Sequence, residues 1–350
     1  MHPTISRPPR GPAGTRTSHR RHRTSQTLLI TLACLAAVGS LAGLVAAKLP
    51  RSPSPPTALP WPAAPSSGTS TPAARPAPPG QPQLGPVSWP ADGVSAAGIG
   101  GHGVTDGPGA TRPVPIASVA KLMTAYVILQ DHPLSGHGSG PVVTVEPSEA
   151  AEYPSQVAAG DSLVAVAAGE TLTERQALEA LLLPSADNMA WILARWDAGG
   201  QAAFAARMNA AARSLAMTGT RYTDPAGLDP STTSTAADQV RLGLAAMGMP
   251  ALAAITAEAT AVIPVAGLVR NTNTLLGRDG IVGLKTGSTQ AAGGCLLVAA
   301  WPEVSGHRTL IVAATFGQPG TAGTILPNAL QAGHNLVLAL DSALDPQGDR

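Results

Sequence analysis

Lysine is nearly absent from this chain of 350 residues: Lys48, Lys121 and Lys285 are the only three, although Lys and Arg together number 22. Almost every cation is therefore an arginine. Charge of either sign is also scarce, with 12% charged residues and a formal net charge of +1. The lack of a basic face or an acidic run in the folded part argues against nucleic acid as the main partner. Aromatics make up 3%, so a core must be assembled from Ala, Leu, Val and Ile. Cysteine occurs twice, as Cys34 and Cys295. Cys34 falls in the apolar segment described next, which leaves an outer domain without an internal disulfide. The eight histidines show no metal-ligand spacing with the acids or Cys295, so no metal and no other cofactor is expected.

The first 86 residues do not read as part of a globular domain. Residues 1–26 are a basic, polar tail carrying Arg7, Arg10, Arg16, Arg20, Arg21 and Arg23. Residues 27–47 (TLLITLACLAAVGSLAGLVAA) carry no charge. As a helix they span roughly 31 Å, about the thickness of a hydrocarbon core. The arginine excess before them predicts a cytoplasmic N-terminus and an exported remainder, a single-pass protein of the cell membrane. The apolar run exceeds the roughly 7–15 residues of a signal-peptide core, which favours a retained signal anchor over cleavage after Ala47 and secretion. Residues 48–86 form a proline-rich linker, with about a third of positions 50–86 being Pro. Such a composition buries too little apolar surface to fold and favours extended conformations. At ~3.1 Å per residue it could hold a domain up to roughly 110 Å from a membrane.

Residues 87–350 form the expected folded unit, near the upper edge for one domain. Ser95–Val104 reads as a glycine-rich strand, and Pro115–Leu129 as a helix. Thr173 and Gln176 make a capping box for a helix that Pro184 ends, and a further helix runs from about Ser185 to Trp196. Ala203–Leu215, Ala236–Met247 and Pro327–Leu344 also read as helices. Cys295–Trp301 and Arg308–Phe316 read as a strand hairpin. Helices in the middle and strands near both ends predict an α/β domain whose sheet uses both ends of the chain, with a helical insertion between.

The two lysines of this unit lie in short motifs. Ser118-Val119-Ala120-Lys121 places a hydroxyl and an amine at i and i+3, on one face of a helix. A serine is a poor nucleophile until a base takes its proton, and a desolvated Lys can be that base where Arg cannot. The plainer reading is a helix-capping Ser and a solvated Lys. Lys285-Thr286-Gly287 lies on or beside a strand. A second ammonium there would lower the pKa of Lys121 by repulsion and bind a substrate carboxylate with help from Thr286. Gly287 would let substrate approach the backbone. Ser185-Ala186-Asp187-Asn188 sits between two helices, where Ser185 could relay a proton or simply cap the second helix.

In this order the three motifs resemble the signature of penicillin-binding proteins and serine β-lactamases. The stretches IASVAKLMTA, TLTERQALEALLLPSADN, MNAAARSLAMTGTRYTDPAGLD, NTNTLLGRDGIVGLKTGST and AAGGCLL look like the D-alanyl-D-alanine carboxypeptidase family, the low-molecular-mass penicillin-binding proteins, over roughly residues 95–320. The resemblance implies a transpeptidase-like α+β fold, a mainly antiparallel sheet flanked by helices with a helical lobe. It implies removal of the terminal D-Ala from peptidoglycan stem peptides through an acyl-serine, and covalent inhibition by β-lactams. Ser118 would be the nucleophile, Lys121 its base and Ser185 a proton carrier. Lys285 and Thr286 would hold the substrate carboxylate, and the backbone N–H groups of Ser118 and Ser288 would form the oxyanion hole.

One position departs from the family pattern, which has Asn two residues after the second-motif serine. Here Asp187 stands there and Asn188 follows. A carboxylate only accepts hydrogen bonds and raises the pKa of a neighbouring lysine. Either Asp187 is tolerated, or Asn188 takes its place through a shifted helix start, or activity is reduced. The residues that follow the K-T-G motif are not expected to hold the C-terminal β domain and anchor helix of well-known members, so the N-terminal segment is expected to serve as anchor. A β-lactamase needs a Glu to activate the deacylating water, and no Glu lies between Asn188 and Glu258. An endopeptidase or transpeptidase shares the acylation step, and a silenced peptidoglycan-binding module is the non-enzymatic alternative.

Overall fold

The computed structural model describes residues 84–100, 103–304 and 306–344. The segments read as basic tail and membrane anchor, and the linker up to residue 83, lie outside the described residues. Leu84 and Val87 already pack on the apolar cluster beneath the last helix, and the Gly85 N–H donates to the Ala343 carbonyl. The described chain thus joins the folded body at residue 84.

The chain opens with β1 (Val94–Ile99) and β2 (Gly103–Asp106), then a short strand β3 (Val114–Pro115), a 3-10 turn (Ala117–Val119) and α1 (Ala120–Asp131). The helical lobe follows: β4 (Val142–Thr144), α2 (Pro147–Ala159), β5 (Thr171–Thr173), α3 (Glu174–Leu182), α4 (Asp187–Ala198) and α5 (Gln201–Ser214). Next come β6 (Thr233–Ser234), α6 (Ala236–Met247), α7 (Pro250–Thr256), β7 (Thr260–Ile263) and β8 (Gly267–Arg270). The chain ends in β9 (Ile281–Thr289), β10 (Gly293–Ala300), β11 (Glu303–Val304), β12 (His307–Arg308), β13 (Ile311–Gln318) and α8 (Ile325–Leu344).

The main sheet has the order β2-β1-β13-β10-β9, and its neighbouring strands all pair antiparallel. β1 pairs with β13, so the sheet does use both ends of the folded unit. Both faces are covered. Along β13, Ile311 and Ala313 pack under α8, while Val312, Ala314 and Phe316 face the larger cluster shared with the lobe. This is the period of two that a pleated strand imposes. β9 ends the sheet, so its outer edge carries backbone groups that no strand among the described residues pairs.

Several boundaries differ from the sequence reading. The glycine-rich stretch is a hairpin of β1 and β2 rather than one strand. The helix expected from Pro115 begins at Ala120, because Pro115 pairs with Thr233 as a strand and Ala117 takes a left-handed φ of 47°. The capping box at Thr173 is formed in both directions. α3 stops just before Pro184, as a missing N–H dictates. β10 and β13 form the expected antiparallel pair. The ribbons β4–β5 and β7–β8, and helices α2 and α7, were not anticipated.

Candidate active site

The first motif stands where the 3-10 turn enters α1. Neither the turn nor the helix has a side-chain cap, so Ser118 is not a capping residue. Its Oγ instead accepts from Lys121 Nζ at 2.8 Å. Lys121 is fully buried, which rules out the solvated reading. Its amine has two further partners: Asp187 Oδ1 at 2.6 Å and the Ala226 carbonyl at 2.9 Å. The turn is held by tight backbone packing. A Cβ on Gly287 of β9 would lie 3.0 Å from the Ser118 and Val119 nitrogens. A Cβ on Gly227, at φ +81°, would run into the Ala117 carbonyl. The backbone that comes close to Gly287 within the protein is the turn that carries Ser118.

Ser185 precedes α4, whose N-cap is Ala186 with no side-chain cap bond. Its φ of 67° is in the left-handed region, where a non-glycine residue costs roughly 1–3 kcal/mol and persists only if its surroundings hold it. The Ser185 Oγ accepts from Lys285 Nζ at 2.9 Å, so the capping reading fails here too. Lys285 is also buried, and its other partner is the Thr286 carbonyl at 3.0 Å. Among the described residues no carboxylate pairs with it. The Thr286 hydroxyl is 2.6 Å from that of Thr272. Ser288 is exposed at the open end of β9.

Asp187 and Asn188 have separate tasks. The Asp187 Oδ2 accepts from the Ser162 N–H at 2.9 Å, so with Lys121 on Oδ1 both carboxylate oxygens are engaged. It is a support beneath the Lys121 amine. Asn188 points elsewhere: its amide donates to the Val164 carbonyl at 2.8 Å and its oxygen accepts from the Val164 N–H. The helix start is not shifted, and Asn188 does not replace Asp187.

Burial pushes the Lys121 ammonium below its ordinary value, while the Asp187 carboxylate works in the opposite direction. Lys285 falls well below its ordinary value, first through burial and then through the charge of Lys121. The like-charge repulsion expected at Lys121 is thus felt at Lys285. Of two neighbouring ammonium groups, the one without a carboxylate gives way.

Some contributors carried no recognised signal in the sequence. Asp224 gathers the N–H groups of Ala226, Gly227, Leu228 and Asp229 on its carboxylate, which fixes the Ala226 carbonyl against Lys121. Thr272 orients Thr286, and Asp161 lies close enough to the pair that burial and Asp187 raise its pKa. Among the described residues no group of three His, Cys, Asp or Glu is placed to hold a metal ion.

With this geometry in hand, the relatives are informative. The D-alanyl-D-alanine carboxypeptidase family model matches residues 107–316. A D-alanyl-D-alanine carboxypeptidase (DacB2) of Mycobacterium tuberculosis is 38% identical over 210 residues, 58% of this chain and 67% of the relative. A D-alanyl-D-alanine endopeptidase of Pseudomonas aeruginosa is 36% identical over 192 residues, 53% of this chain and 59% of that protein. In three dimensions, a D-alanyl-D-alanine carboxypeptidase of M. tuberculosis superposes with a TM-score of 0.61 at 32% identity, covering 77% of this chain and 97% of the other. A Streptomyces DD-transpeptidase, with a TM-score of 0.61 at 24% identity over 72% of this chain and 98% of its own, shares the fold. By the span of that match and the three motifs it encloses, the chain belongs to the D-alanyl-D-alanine carboxypeptidase family of serine peptidases.

Proposed function

We propose that this protein removes the terminal D-Ala from peptidoglycan stem peptides through an acyl-serine on Ser118. The observation that carries the reading is the Lys121 amine, buried and 2.8 Å from the Ser118 hydroxyl. As Ser118 Oγ attacks the penultimate carbonyl carbon, Lys121 Nζ takes the hydroxyl proton. The oxyanion is met by backbone N–H groups of Ser118 and Ser288, each such donor being worth roughly 3 kcal/mol at the transition state. The C–N bond then breaks. The departing amine of D-Ala receives a proton through Ser185, whose hydroxyl lies on Lys285. Water hydrolyses the ester and restores Ser118. From binding until D-Ala departs, the substrate carboxylate sits on Lys285 and Thr286, supplying the negative partner that Lys285 lacks among the described residues.

Release of free D-Ala from a peptide ending in D-Ala-D-Ala, lost in Ser118→Ala, is the test. Cleavage only of cross-linked peptides, with no release from that linear one, would instead favour the endopeptidase reading suggested by the Pseudomonas relative. β-Lactams would acylate the same serine. We further infer that residues 27–47 anchor the protein in the cell membrane with the catalytic domain outside, on the linker of residues 48–86. Intact mass of the protein recovered from membranes tests this: the uncut chain supports the anchor, and a chain starting at Lys48 in the medium contradicts it.

A further inference from the structure

We infer that Asp187 is a positioning residue that aims the lone pair of Lys121 at Ser118. The inference rests on Ser118 and Lys121 acting as nucleophile and base. Three hydrogen-bonding positions on Lys121 Nζ meet three partners: Asp187 Oδ1, the Ala226 carbonyl and Ser118 Oγ. A carbonyl and an ionised carboxylate can only accept, whereas a hydroxyl can also donate. When Lys121 is neutral, its two N–H groups are therefore claimed by Asp187 and Ala226. The lone pair is left facing the one partner that has a proton to give.

An amide at position 187 would not do the same here. Ser162 N–H also needs an acceptor from this side chain, and at present takes Oδ2. An Asn has one oxygen. If that oxygen serves Ser162, the NH2 faces Lys121 and donates to the lone pair, drawing it away from Ser118. A carboxylate accepts on both sides at once, which accounts for Asp on this backbone.

The same charge has a cost: it favours the ammonium form against the burial that opposes it. The charged groups that act on Lys121 or are acted on by it are Asp187 from α4, Asp161 from the segment before Ser162, Asp224 from the connection after α5, and Lys285 from β9. Position 187 consequently sets the acid limb of acylation.

The experiment follows acylation of the full-length chain by benzylpenicillin from pH 5 to 10, by intact mass, in wild type, Asp187→Asn and Asp187→Glu, with thermal unfolding of each. Removing the charge in Asp187→Asn should move the acid limb down by ~1–3 pH units and lower the plateau rate by roughly 10-fold or more. Asp187→Glu keeps the charge but displaces it, so the limb should stay near wild type while the plateau falls. A merely structural Asp187 would shift the unfolding temperature and leave the limb in place. That result in folded Asp187→Asn, or a limb in Asp187→Glu that moves as far as in Asn, overturns the inference alone. Absence of wild-type acylation at every pH overturns it together with the function proposed above.

Discussion

Lys121 and Lys285 are both buried, yet only Lys121 has a carboxylate beside it. That difference divides their work. Lys121→Arg keeps the positive charge but supplies a group that does not deprotonate. Acylation should fall by roughly 10²–10⁴-fold, measured as the rate of penicillin adduct formation; an Arg variant as fast as wild type would remove Lys121 as base. Lys285 titrates well below the ordinary lysine value of 10.5. Between those two values the unfolded chain binds a proton that the folded chain does not, so stability rises with pH across that window. Lys285→Met should flatten this part of the unfolding profile and raise KM for peptides ending in a free carboxylate. An unchanged slope would mean that Lys285 is not held neutral.

At the scale of elements, the helix that leads into the second motif is fixed by its two ends. Thr173→Ala deletes the cap at the start of α3, at a cost of about 1 kcal/mol, or about 2–4 °C in Tm. Gly287→Ala places a methyl against the Ser118 and Val119 nitrogens. It should slow acylation while leaving the sheet folded, because the clash displaces the nucleophile's turn and not the core. These two cases also mark what can be read from a sequence. A capping box, a helix-stopping proline and three motifs are local signals, and the structure realises each of them. The 3-10 turn at Ala117 is not local: it depends on Gly227 and on β9, about 110 and 170 positions away in the numbering. Two prolines, Pro147 and Pro154, disguised α2, although Pro147 starts the helix and its pattern has no buried residue to betray it. The ribbons β4–β5 and β7–β8 are three and four residues per strand, too short for alternation to show. Asp187 was visible as a departure from the family pattern, but its purpose was not, since it depends on a backbone N–H at Ser162.

On the scale of the molecule, the body is a sheet clamped between two apolar clusters, and the site sits where the lobe, α1 and the edge strand β9 meet. One buried acid lies apart from that site. Glu174 is wholly buried, neither of its carboxyl oxygens has a hydrogen-bond partner, and burial raises its pKa to about 7. The folded chain keeps this proton while the unfolded one, at the ordinary value of 4.5, loses it. Stability should therefore fall as pH rises from about 4.5 to about 7, and Glu174→Gln should abolish that fall, seen as a higher Tm than wild type above pH 7. A wild-type profile already flat in this range would count against the buried acid. The proposed activity depends on covalent chemistry at one serine. The most direct measurement is the intact mass of the full-length chain after incubation with benzylpenicillin, beside Ser118→Ala. The expected result is one persistent penicillin adduct on wild type, on the peptide containing Ser118, and none on the variant. No adduct on folded wild type, or an adduct that survives Ser118→Ala, would contradict it.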